Sequence, residues 1–549
     1  MLNNQKAKLT AAFLLFALIA GSIGCGTPES AVTTPAKAKA SFDDLVALFK
    51  EFREFQRPKV VDGVPDYTPA AMAAQRQGLA ELQGRLAAMD ISEWPVSRKV
   101  DYLLVRAEMN GLEFDHRVLR PWSRDPAWYI VVEFQFGPKM WPRMSIPRLP
   151  IPQDRLPNVA TRLRAIPSIL AQARTNLTEP TADLTMLGIR SKEREGRLLR
   201  EFVPELAKHH PELVPDAEKA LAAVDDFKSW LEGNKERWTA RSGIGVDHYN
   251  WYLKNVSLLP YTHDQLVGVS EREYERALSM IAFEKHRNRR LPPHKAVTGR
   301  EEYLKLFNEG QEFLLDFLKS EELFTVPDFI TLNPVKSWNR GPVKDYFAQV
   351  QDRDPLPLMP HDFIGHGPDA IRHRSDSRPI RGTTRLYFID GVRAEAVATG
   401  MEEIMMHVGL LDKRPRAREL DYNLLGFRAS RSLSDLKIHS NELTLMEGFQ
   451  YNIEHTPEKW LPEDSPTMWH DIELYLRQPT YGVGYLIGSV QLQGLIADES
   501  RRLGDAFVLK NCLDAFFAAG MIPIALTRWE MTGLDDQIRR LWPEGFGSK

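Results

Sequence analysis

The sequence predicts a mainly α-helical protein with only a few short strands. Three observations carry that expectation. Apolar residues recur at helical spacing along most of the chain, beginning with Leu45, Leu48, Phe49 and Phe52. A 43% hydrophobic and 10% aromatic content is enough to bury a core and excludes a disordered chain. β-Branched residues gather chiefly between Leu323 and Val335, where Pro327 and Pro334 permit only one or two short edge strands.

The chain opens with Lys6 and Lys8 ahead of an apolar run, Leu9 to Ala20. Roughly a dozen residues are too few to span a bilayer, which takes ~20. Gly21-Ser22-Ile23-Gly24 then leads into Cys25. Small residues before a cysteine resemble the lipobox of bacterial lipoproteins, with Ser22 where Leu is usual. Residues 1–24 are read as a signal peptide, Cys25 as the lipidated N-terminus, and 25–40 as a flexible tether of small, polar and Pro residues. The expected location is the cell envelope, with the lipid as the membrane contact. Of the two cysteines, only Cys512 would then be free, so no internal disulfide forms.

Residues 41–549 read as one large helical domain, with a helical part to about 320 and a part from about 321 that carries the chemistry. Helical periodicity covers Ser41 to His116, with Pro69 placed where a first turn tolerates it. Arg120 to Pro152 is rich in Pro, Trp and Tyr and is expected to be irregular. Helices are predicted over Leu156 to Ala173, Arg194 to Gly233, Thr262 to Lys285 and Glu301 to Lys319, and again from Asp390 onward. Lys+Arg 71 against Asp+Glu 74 gives no basic excess, so nucleic acid is not an expected partner.

The segment Pro360 to Arg374, PHDFIGHGPDAIRHR, concentrates the chemistry-bearing side chains. His361 and His366 offer neutral nitrogen ligands, and Asp362 offers a carboxylate that takes a proton from water, the needs of a zinc hydrolase. The familiar HExxH spacing puts two histidines four apart on one helical face. Here they are five apart, about 140° around an ideal helix. A bulged turn is needed to bring them together, and Gly365 makes one cheap. Without it they are helix-terminus or core histidines.

This segment and its surroundings resemble the bacterial family named domain of unknown function 885, grouped with gluzincin-type metallopeptidases. HDFIGH resembles that family's H-E-x-x-P-G-H, with one residue fewer and Asp362 in place of Glu. YFIDGVRAEAVATGMEE, Tyr387 to Glu403, resembles the following E-G-W-A helix, with Asp390 at the third-ligand position, Val392 in place of Trp, and Glu402 at a later acidic position. RASRSLSDLKIHS resembles an R-x-x-x-D-x-x-x-H helix through Arg431, Asp435 and His439, and PTYGVGYLIG resembles another element through Tyr485. DYTPAAMAAQ, RAEMNGLEFDHRVLRPWSRDPAWY and the C-terminal block extend the likeness over nearly all of the mature chain. In that last block Leu513 stands where the family usually has His.

The resemblance implies a gluzincin-like helical fold whose short strands line a central cleft. It implies one Zn²⁺ held by His361, His366 and Asp390 with an open position for water, and Asp362 as general base. Tyr485 or His439 would stabilise the oxyanion, and Asp435, one turn before His439, would orient its ring or form a surface ion pair with it. The reaction implied is hydrolysis of a peptide or related amide; the alternative is a non-enzymatic ligand-binding lipoprotein that keeps the cleft without the chemistry. HDFIGHG and GVRAEA are also locally similar to H-E-L-L-G-H-G and E-C-R-A-E of dipeptidyl peptidase III. That alignment puts the ligand on Gly391, which has no donor side chain, and raises Glu395 as a substitute ligand. Met401, Met405 and Met406 are read as core packing.

Overall fold

A computed structural model describes residues 38–132, 144–336, 338 and 345–546. The segments read as signal peptide and tether lie, up to residue 37 and with Cys25, outside the described residues. The tether's last residues pair as a strand: β1 (Ala38–Lys39) lies parallel to Met89–Asp90.

Helices then build the protein. The first group is α1 (Phe42–Phe55), α2 (Pro69–Ala87), α3 (Val96–Phe114) and α4 (Pro121–Arg124). Between α1 and α2 the strands β2 (Val60–Val61) and β3 (Val64–Pro65) form an antiparallel hairpin, and Met89–Asp90 is β4. A second group is α5 (Leu156–Asn176), α6 (Ala182–His209) and α7 (Val214–Asn234). Next come α8 (Val246–Asn255), α9 (His263–Arg287), α10 (Arg300–Glu321) and α11 (Tyr346–Gln351). The final stretch holds α12 (Gly367–Ser375), α13 (Gly391–His407), α14 (Ala417–His439), α15 (Leu445–His455) and α16 (Pro466–Arg477), then α17 (Tyr481–Leu503), α18 (Leu509–Ala519), α19 (Ile524–Thr532) and α20 (Asp536–Leu541). The protein is mainly α-helical. No described helix is long and apolar enough to cross a membrane.

Local chemistry starts several of these helices. Ser41 and Asp44 form a capping box on α1, and Thr262 and Gln265 form one on α9. Thr68 caps α2, with Pro69 in its first turn as expected.

Packing joins distant parts of the sequence. One core cluster includes Leu45, Phe49 and Leu104 near the start and Leu526, Trp529 and Trp542 near the end. Another packs Leu314 and Leu356 against Met401, Met405, Met406, Leu492 and Phe516, so the three methionines are core residues. Each such side chain, fully buried, contributes about 1.5–3 kcal/mol relative to exposure. A third cluster belongs to α5–α7.

Two features of the packing position the site. Every residue of α14 except Arg418 and Lys437 is buried. A helix enclosed on all sides is usually apolar all round, yet this one carries Asp421, Arg428, Arg431, Asp435 and His439 inside the protein. Those groups must find partners within the protein. α13 packs against α17 closely enough that a Cβ at Gly488 would lie 2.4 Å from the Val392 carbonyl oxygen. Glycine permits that approach.

The strands expected in Leu323–Val335 do not form; that segment is non-helical coil without strand pairing. Its backbone donors are taken by side chains instead. Thr325 N donates to Asp514 Oδ1 (2.6 Å), Asn333 N to Gln311 Oε1 (3.1 Å) and Val335 N to Asn308 Oδ1 (2.9 Å). With Pro327 and Pro334 lacking N–H groups, side-chain partners outcompete a ladder. Arg120–Pro152 is irregular where described, apart from α4, a 3₁₀ turn at Pro126–Tyr129 and one bridge between Val132 and Met144.

Candidate metal centre

His361 to His366 forms a turn of π-helix leading directly into α12. The wider turn brings two residues five apart onto one side, where an α-helix would separate them. The two imidazole centroids lie 4.8 Å apart. Gly365 sits at the distortion, and a Cβ there would lie 2.7 Å from the Ala398 Cα of α13. The missing side chain therefore widens the turn's options and lets it lie directly on α13.

That contact delivers the third group. Glu395 and Glu402 are seven residues apart on α13, two turns along one face. Donor atoms of His361, His366 and Glu395 all lie within 4.8 Å of one another, and Glu395 Oε2 is 3.7 Å from His366 Nε2. Ligands at about 2.0–2.1 Å from a tetrahedral zinc ion stand roughly 3.3–3.4 Å apart, so the cluster closes on an ion with small side-chain movements. Glu395 Oε2 is buried and has no hydrogen-bond partner. An orphan carboxylate oxygen facing two imidazoles is the arrangement a cation satisfies.

His361 is gripped from behind. Its Nδ1 lies 2.8 Å from Glu402 Oε1, and with the ionised carboxylate accepting there Nε2 keeps a lone pair. Burial, and then the guanidinium of Arg428, push the His361 ring down to about 3. It is therefore neutral at ordinary pH, the form in which imidazole ligates. Burial pushes Glu402 up to about 7 against the pull of Arg428.

The remaining predicted residues separate into near and far. Asp362 follows His361 in the π turn, is solvent-exposed, and its charge acts on both His361 and Glu402. Tyr485 of α17 is buried; its hydroxyl interacts with Tyr481 and lies within the field of Glu395. Burial raises the Tyr485 phenol well above its usual range, against the pull of Arg431. That guanidinium stands 4.0 Å over the Tyr485 ring, held by Asp471 at 2.7 Å and the Tyr475 hydroxyl at 3.0 Å.

Asp390 is not brought to the cluster. It is the residue before α13, five positions ahead of Glu395 and about 140° away around the axis. Its carboxyl lies in the field of Arg385, His373 and Arg393, and burial holds it above the usual carboxylate range. Glu395 stands where Asp390 was expected. His439 is also elsewhere: its ring is fully buried, and Nε2 donates to the Tyr475 carbonyl at 2.8 Å. The Asp435–His439 contact, at 3.5 Å with both side chains 0% exposed, is not a surface pair. Sequence reasoning missed Arg428 and gave Glu402 no role; the seven-residue spacing from Glu395 to Glu402 was the available signal.

No family model and no curated protein matches the chain. Several solved structures do, two of which follow. One is a candidate lipoprotein of unknown function from Shewanella oneidensis, with TM-score 0.70 and 15% identity over 90% of this chain and 100% of that one. The other is a candidate lipoprotein from Colwellia psychrerythraea, with TM-score 0.64 and 13% identity over 93% and 100%. At these identities the likeness is one of fold.

Proposed function

We propose that this chain is a zinc-dependent hydrolase of peptide or related amide bonds, held in the cell envelope through a lipid on Cys25. The single observation that carries the hydrolase reading is the buried, unpartnered Glu395 Oε2 facing the rings of His361 and His366. The envelope location is supported by the signal-like start of the sequence and by the description of both structural neighbours as candidate lipoproteins.

His361 Nε2, His366 and a Glu395 oxygen would hold the ion. Two nitrogens and one oxygen suit zinc and leave a position open. Zinc bound there would polarise a carbonyl and acidify water. Asp362, exposed beside His361, would accept the proton of the attacking water on its carboxylate. Tyr485 would donate from its hydroxyl to the oxyanion as the carbonyl carbon becomes tetrahedral.

Metal analysis and peptide hydrolysis test this together. Protein purified without chelator should carry about one zinc per chain, and His361→Ala and His366→Ala should each lose it. Asp362→Asn should keep the zinc and lose about 10²–10⁴-fold in hydrolysis. Full zinc in both histidine variants would discard the site. Zinc with no hydrolysis of a broad peptide panel by the wild type would make the protein a non-catalytic binder.

A further inference from the structure

Resting on the metal reading above, we infer that Glu402 and Arg428 are a buried positioning pair that fixes the His361 ring as a ligand. Arg428, on the enclosed helix α14, forks onto both oxygens of Glu402: Nη1 to Oε2 at 2.5 Å and Nη2 to Oε1 at 2.7 Å. The two side chains are 1% and 2% exposed, so water does not substitute for either partner. With both oxygens held, Oε1 lies 2.8 Å from His361 Nδ1, closer to that nitrogen than Arg428 Nη2 at 3.4 Å.

The consequence is a fixed tautomer and a fixed ring plane. With Glu402 ionised in the Arg428 fork, Oε1 accepts, so Nδ1 carries the hydrogen and Nε2 the lone pair. The planar guanidinium is suited to the task because two parallel bonds hold the carboxylate in one orientation, where a single ammonium would let it swing. α13 supplies both Glu395 and Glu402 from one face, with their Cα atoms about 10 Å apart along a rigid rod. The π turn of His361 is thereby seated between them. His366, 37% exposed, pairs with Glu395 at 3.7 Å, while the Glu402 carboxylate contacts the His361 ring.

An ordinary buried ion pair would also join α13 to α14, and the test must separate the two roles. Zinc affinity is measured by competition with a chromophoric chelator, and the cobalt-substituted protein is read by its visible absorption. Glu402→Gln, Glu402→Asp and Arg428→Lys are compared with the full-length wild type, with helix content followed by circular dichroism. A positioning role predicts that the zinc Kd rises about 10–100-fold, with a shifted cobalt spectrum and retained helix. Glu402→Asp and Arg428→Lys keep opposite charges between the helices while displacing the acceptor or removing the fork. They carry the test if the Gln variant does not fold. Lower melting temperatures with wild-type zinc affinity and cobalt spectrum would overturn the inference and leave a structural ion pair. A wild type that takes up no zinc would overturn the metal reading and this inference with it.

Discussion

Two of the histidine–carboxylate pairings in the C-terminal half, His366–Glu395 and His439–Asp435, have opposite fates. His366 and Glu395 meet across two elements at 3.7 Å, with His366 open to solvent and His361 beside it. Asp435 and His439 meet one turn apart within α14 at 3.5 Å, sealed from solvent. In the first, a buried carboxylate oxygen faces a second imidazole across a gap. In the second, Asp435 Oδ2 accepts from Tyr249 and from Val483 N, and His439 Nε2 donates to a backbone carbonyl. The sealed pair ties α14 to α8, α16 and the start of α17. The difference teaches that an acid and a histidine at helical spacing are not evidence of chemistry. What counts is whether the pair faces a third donor and an open side.

The largest effect should come from removing the carboxylates in turn. Glu395→Gln is expected to weaken zinc binding by more than about 100-fold, beyond the range typical of supporting residues. Asp435→Asn should leave zinc affinity unchanged. Equilibrium dialysis of both variants checks this, and equal losses would erase the distinction between the two pairings.

A smaller effect should follow at Gly365, where a methyl group would lie 2.7 Å from Ala398 Cα and 3.0 Å from its Cβ. The facing atoms belong to α13 backbone and cannot swing aside. Gly365→Ala should cost about 1–3 kcal/mol of stability as overpacking does, and should weaken zinc binding because the π turn moves off α13. Denaturant melts with and without zinc measure both; stability and affinity equal to wild type would show that the turn does not need its glycine.

The smallest effect concerns pH and the sealed pair. Burial holds Asp435 up at about 8 and His439 down at about 4. As pH rises from the unfolded value of 3.8 to about 8, the folded chain keeps a proton on Asp435 that the unfolded chain releases. Its contribution therefore falls across that window and levels off above it. His439 acts oppositely between about 4 and 6.5, where the unfolded ring binds a proton and the folded ring does not. The two slopes oppose each other until 6.5, and Asp435 acts alone from there to about 8. Asp435→Asn should remove that decline, which is at most about 1.4 kcal/mol per pH unit. Urea melts at both ends of the window give the slopes, and parallel slopes for variant and wild type would reject the assignment.

Local sequence suffices for the helical class, the onsets of α1, α2 and α9, the methionine core and the need for a bulge between His361 and His366. Each is a local matter: apolar period, side-chain caps, or an angle between residues five apart. Only the tertiary structure decided which acid joins the histidines. Asp390 and Glu395 lie five residues apart, on different sides of one helix, and which side meets the π turn depends on how α13 packs against α17 through Gly488 and under Gly365. Tertiary structure likewise brought Arg428 to Glu402 and enclosed His439, because burial of α14 is set by the helices around it. It also dissolved the expected strands at Leu323–Val335, where Gln311 and Asn308 of the preceding helix α10 and Asp514 of the distant α18 supply partners. Backbone hydrogen bonds must be satisfied, but which groups satisfy them is settled by what folds nearby.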